Sequence, residues 1–147
     1  MAFKREVNER MSDSTNLFGN DVGLTEKTLD LLWQRQKVTQ NNIANVDTPN
    51  YKAQYLTFED ELARRIRTSN ATGRATGGNR RQSIGDAIDH TTASLHTTTA
   101  ESTRMDDNSV DMDQEQVDLA ETTYEYQMMV QAASNQLKRL DSATKIS

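Results

Sequence analysis

The chain has 147 residues, 34% hydrophobic and 27% charged, and a mean hydropathy of -0.84. An ordinary globular domain is roughly 45–50% apolar, counting glycine, and six glycines do not close the gap, so one thin core is the most this chain can bury. A net charge of -5 with a pI near 5.0 argues against a general nucleic-acid binder, and the absence of cysteine removes disulfides and thiolate metal sites.

No apolar run approaches the ~18 residues that a transmembrane helix needs. Met1-Ala2-Phe3-Lys4-Arg5-Glu6 lacks the apolar core of a cleaved secretory signal. The expectation is a soluble protein whose export, if any, uses a route without a cleaved signal. Residues 1–19 interleave Asn, Ser, Asp and Gly and read as a flexible extension with at most a short helical turn; residues 20–147 read as one domain.

From about Leu24 to Ala44 the pattern is helical. Leu24, Leu31 and Val38 recur at seven, Leu32 and Ile43 widen the stripe, and Glu26, Lys27, Arg35 and Lys37 keep the other faces wet. Such a helix is about 30 Å long. Trp33, the single tryptophan, is expected to anchor packing. The helix must stop before Pro49, the only proline, because proline cannot continue it and the preceding Thr48 is biased away from the helical region. Asn45 suits a left-handed C-terminal cap, and Asp47 and Asn50 suit the turn over 45–51.

Beyond the turn, residues 51–58 alternate weakly and read as extended. A short helix is expected over about 57–67, with Phe58, Leu62 and Ile66 on one face. Residues 68–106 are Gly-, Thr- and Ser-rich and read as a flexible, partly disordered middle. Six arginines and no acid lie between Leu62 and Gly85. A nucleic-acid arm is the sharp reading of that run, but stacking aromatics are missing from it. A solvated loop, or one facing an acidic neighbour, fits better.

From about Asp111 to Thr144 runs one amphipathic segment without glycine or proline. Leu119, Thr123, Tyr126, Val130, Ala133, Leu137, Leu140 and Thr144 alternate by four and three, which is a heptad seam. Asp111 with Gln114 makes a capping box, and Asp113 and Glu115 sit where the helix dipole favours anions. This helix is about 50 Å long, so it outreaches its N-terminal partner. Tyr124, Met128 and Met129 lie off the seam and are expected to face other subunits. The fold class expected is therefore all-α, with the N- and C-terminal helices paired as an antiparallel coiled coil.

Catalytic readings fail on spacing. An EF-hand loop starting at Asp107 places Asp107, Ser109 and Asp111 well but puts Met112 where glycine is required. His90 and His96 are six apart, not at the spacing of paired helical ligands, and no nucleophile triad, P-loop or dinucleotide fingerprint occurs. No catalytic residue, metal or cofactor is expected.

Asn42-Ile43-Ala44-Asn45, followed by Thr48, Pro49 and Tyr51, resembles the signature near the N-terminus of bacterial flagellar rod and hook proteins. The segment Asn108-Ser109-Val110-Asp111-Met112-Asp113-Gln114-Glu115, with Tyr124-Glu125-Tyr126-Gln127 and Leu137-Lys138, is similar to the C-terminal helix of the proximal-rod type. Such chains share this short length without a large inserted domain. Asp107 stands where that family commonly has glycine, and the polar start is longer than usual. The resemblance implies a structural subunit of the basal-body rod that stacks helically into the drive shaft. It implies as partners other copies of the chain, other axial rod proteins and the membrane-ring base or rod adaptors. It also implies export, without a cleaved signal, by the flagellar type III apparatus to the rod in the periplasmic space. The alternative from the residues alone is a cytosolic coiled-coil adaptor or export chaperone.

Overall fold

The structure, a computed structural model, describes the backbone of residues 2–75, 80–99 and 105–145, and the side chains of 19–71, 83–99 and 105–145. The elements are α1 (Ala2–Ala44), β1 (Gln54–Thr57), α2 (Glu59–Ala75), α3 (Arg80–Asp89), β2 (Ser94–Thr97) and α4 (Met112–Thr144). No described helix is long and apolar enough to cross a membrane.

The all-α architecture rests on α1 and α4, which run antiparallel. Thr25 Oγ1 meets the Gln136 amide at 3.1–3.2 Å, Gln36 Nε2 donates to Thr123 Oγ1 at 3.2 Å, and Asn42 Nδ2 donates to Glu115 Oε1 at 2.9 Å. As α1 advances from 25 to 42, its partners on α4 retreat from 136 to 115. Around the middle of this pair Leu31, Leu32, Leu56 and Phe58 form the buried cluster, with Val38, Ala93, Tyr126 and Met129 packed against it. Burying each such side chain contributes about 1.5–3 kcal/mol, so four of them make the thin core that composition foretold.

β1 and β2 form an antiparallel ribbon in which Gln54 faces Thr97 and Thr57 faces Ser94. Leu56 points into the cluster while all of β2 is exposed, so the ribbon has one buried strand face and one wet rim. Leu62 and Ile88 are buried in α2 and α3. α2 packs on α3 and α3 on α1. Gly85 allows the last of these approaches, because a Cβ there would stand 3.2 Å from Asn20 Oδ1.

Four readings change. The helix expected from about Leu24 begins at Ala2 and has 43 residues, so α1 outreaches the 33-residue α4 and the expected inequality is reversed. The interleaved Asn, Ser, Asp and Gly of residues 1–19 read as flexible, but a helix interior tolerates even glycine at a cost of about 1 kcal/mol. The short helix expected over 57–67 runs to Ala75, and residues expected to be loop carry α3 and β2. Trp33 does not anchor the core: it is half exposed, and the Lys37 ammonium sits 4.4 Å from its ring centroid.

Candidate functional site: an asparagine clamp at the end of the helix pair

The signature turn follows from how α1 ends. Asn45 N–H is shared between Asn41 O at 3.2 Å and Asn42 O at 3.0 Å, and the Asn45 amide returns to Asn41 O at 2.8 Å. Thr48 N–H then donates to Asn45 O at 3.0 Å, which folds the chain back just before Pro49. The left-handed residue is Asn50, at φ 61°, and not Asn45 as expected. Asn45 keeps right-handed backbone because its side chain is already used to tie down the last turn. Asn50 N–H donates to Asp106 O at 2.8 Å, and Ser109 N–H donates to Tyr51 O at 3.0 Å. The chain leaving the turn therefore lies beside the segment that leads into α4.

Two asparagines, each 1% exposed, lock these segments together. Asn42 Nδ2 donates to Gln54 O at 2.6 Å and to Glu115 Oε1, while its Oδ1 accepts from Gln54 N–H at 3.0 Å and from Tyr51 Oη at 3.2 Å. All four hydrogen-bonding positions of one amide are occupied. Asn108 Nδ2 reaches Asn45 O, Val46 O and Thr48 O, each at 2.9 Å, and its Oδ1 accepts from Val110 N–H at 2.7 Å. Two amide hydrogens thus tie together three carbonyls of the turn that follows α1. No other side chain has the donors, the acceptor and the size for either position.

Charge and conformation support the clamp. Asp107 is left-handed at φ 57°, which is why glycine is the easy residue there. Lys52 Nζ steadies it, bonding Asp107 O at 3.0 Å and Oδ1 at 2.9 Å. Asp111 caps α4 by accepting from Asp113 N–H at 3.0 Å and Gln114 N–H at 3.3 Å. The capping box is only half made, since the Gln114 amide turns forward to Asp118 Oδ1. Glu115 is buried, and that burial raises its pKa against the lowering by Asn42; Asp118 and Asp111 raise it further.

The expected site residues fall into three groups. Asn42, Asn45, Thr48 and Tyr51 meet in the clamp, Ile43 is half-buried beside them, and Ala44 and Pro49 are exposed. Along the helix pair Leu31 is buried, and Leu24, Val38, Leu119, Tyr126, Ala133 and Leu140 are half-buried. Val130 and Leu137, expected in the seam, are 45% and 59% exposed. Their inward places are taken by Met129 and Gln136, one residue earlier in each heptad, while Leu119, Tyr126, Ala133 and Leu140 keep theirs. Met129, expected at a subunit surface, packs on the core, whereas Tyr124 and Met128 are about two-thirds exposed.

Sequence reasoning did not single out Asn108, Arg35 or Glu115 as site residues. For Asn108 the available signal was its place two residues before Val110, the spacing of an Asx turn. Arg35 Nε donates to Leu56 O at 3.1 Å, its guanidinium pairs with Glu59 and lies 3.6 Å from Glu125, and it covers the Phe58 ring at 4.6 Å. Burial works against the charge of Glu59, but Arg35 and backbone amides outweigh it and hold the carboxyl below its ordinary value. Beside Arg35, between β1 and α4, lies an open groove of about 400 Å³ lined by Glu59, Glu115, Asp118, Glu121 and Glu125.

A helix pair whose turn is sealed by amide side chains, with apolar residues left on its outer face, defines a structural subunit built to be packed against. Comparison with known proteins gives the family. The model described as flagella basal body rod protein matches residues 26–52, the stretch that enters the clamp. The flagellar basal body rod protein FlgB of Escherichia coli K12 is 34% identical over 116 residues, which cover 77% of this chain and 84% of that protein. FlgB of Cereibacter sphaeroides is 33% identical over 135 residues, 87% of this chain and 96% of that protein. FlgB of Borrelia hermsii reaches 49% identity over 57 residues, 39% of this chain and 42% of that protein. The chain belongs to the FlgB family of flagellar basal body rod proteins.

Proposed function

We propose that this chain is a structural subunit of the proximal rod, stacking helically with further copies and with other axial rod proteins into the shaft that carries motor torque. The observation that carries this reading is the inverted polarity of α4. Thr122 and Glu115 face inward and are buried, while Val117, Tyr124, Met128 and Leu137 are each more than half exposed. Val117, Tyr124 and Met128 share one stripe of the helix, and contiguous exposed apolar surface of this kind marks a face that another molecule covers. Head-to-tail contacts between unlike faces generate open helical arrays, the geometry a shaft requires. A thin monomer core agrees with this, since lateral contacts supply burial that one chain lacks.

In this reading the subunit meets the membrane-ring base or rod adaptors at one end of the rod and lies in the periplasmic space. It arrives there through the flagellar type III apparatus without a cleaved signal, and it performs no reaction. The test is a strain lacking the gene, assayed for swimming and by electron microscopy of isolated basal bodies. Membrane rings without rod or filament, restored by the wild-type copy, are expected. Complete basal bodies with normal swimming would overturn the rod reading and favour a cytosolic coiled-coil adaptor.

A further inference from the structure

We infer that the acidic groove between β1 and α4 receives the arginine-rich α2–α3 arm of a neighbouring copy, an inference that rests on the rod reading above. The chain is sharply polarised. Six arginines and no acid lie between Leu62 and Gly85, whereas eight acids and no Lys or Arg lie between Met105 and Leu137. Among the described residues no ion pair joins these two segments: Arg64 and Arg65 pair with Glu61 of their own helix, and Glu59, at the start of α2, pairs with Arg35 of α1.

The groove is shaped for such a guest. It has about 400 Å³ of open space, the backbone of Gln54–Thr57 for one wall and Glu115, Asp118, Glu121 and Glu125 for the other. Arg35 is the only cation among the described residues that line it. Glu121 and Arg67 are both exposed on helices. Guanidinium groups match carboxylates two bonds at a time, which fixes register as well as attraction. The two faces are unlike, so each copy offers one and uses the other, giving a contact that propagates and does not close.

Charge reversal tests this in a strain whose only copy is the variant. Arg67→Glu and Glu121→Arg are each expected to lower the number of rods per cell at least tenfold, and the two together to restore it to within twofold. Normal rods in either single variant, or a pair no better than the worse single, overturn the contact. Rods that persist when the gene is absent overturn the rod reading as well, which separates the two failures. Since the chain has no cysteine, Arg67→Cys with Glu121→Cys adds a direct readout. Oxidation of basal bodies is expected to give a ladder of disulfide-linked copies. Intact rods yielding only monomers overturn the contact, as does recovery of nucleic acid in place of protein on the arm.

Discussion

Replacing Asn108 by Asp is the sharpest perturbation the clamp offers, because size and shape stay the same. The amide nitrogen becomes a carboxylate oxygen, aimed at Asn45 O, Val46 O and Thr48 O from 2.9 Å. Two N–H donors are lost at about 1 kcal/mol each net, and a buried carboxylate oxygen facing carbonyl oxygens costs a further 1–3 kcal/mol or so. Asn108 is 1% exposed, so water cannot enter as a substitute without opening the turn. The sum is about 4 kcal/mol, most of the stability of a domain at the low end of the usual ~5–15 kcal/mol. The assay is urea unfolding of the full chain followed by far-ultraviolet circular dichroism. At neutral pH the variant is expected to lose most of its cooperative transition and to fail complementation. On acidification the new carboxyl regains a proton and one donor, so part of the loss is recovered. A variant within about 0.5 kcal/mol of wild type, inside the range of an ordinary surface change, would refute the account of the clamp.

Asp107→Gly is expected to be near neutral or stabilising by about 0.5 kcal/mol, since relief of left-handed backbone offsets a half-exposed ion pair. Asp107→Val should cost about 2 kcal/mol or more by the same melts. Glu115→Gln keeps an acceptor for Asn42 and removes a buried charge. Its native pKa is raised by burial, so wild-type stability falls as pH rises from the unfolded carboxyl value through the native one, and the variant should be the more stable at neutral pH with a flatter profile. Arg35→Met is expected to cost about 2 kcal/mol from a lost backbone bond and the ring contact, with Arg35→Lys recovering little. The Glu59 share of that stability is present at neutral pH and fades as pH falls, because its native pKa lies below the unfolded one. Leu137→Asp should leave helicity within about 0.5 kcal/mol of wild type yet abolish rod assembly, whereas Met129→Asp should unfold the chain; equal effects would undo the division between inner and outer faces.

The paired helices, the turn after Ala44 and the Asp111 cap were legible because each has a local cause: period, proline and a capping carboxylate. The phase of α4 was not. Val130 and Leu137 are the better seam residues by hydrophobicity alone, yet Met129 and Gln136 take the inward places, and the Thr25–Gln136 hydrogen bond between the helices leaves no trace in periodicity. The α2–α3 arm was hidden by Gly and Thr content, since its helices are held by Leu62, Ile88 and the close seat of Gly85 against α1. Asn45 and Asn50 are chemically equal candidates for a left-handed residue. Only the position of Asp106, 56 residues beyond Asn50 in the chain, decides between them.

The distance along the chain that Asn108 spans has a consequence for timing. A polypeptide threaded N-terminus first delivers α1 and the turn long before the amide that completes them. Until residue 108 and the start of α4 follow, the turn lacks the Asn108 amide and Asn42 lacks its bond to Glu115. Such contacts are slow to form because a long loop must close first. The turn at the end of the helix pair is therefore not fully tied until the last third of the chain has arrived.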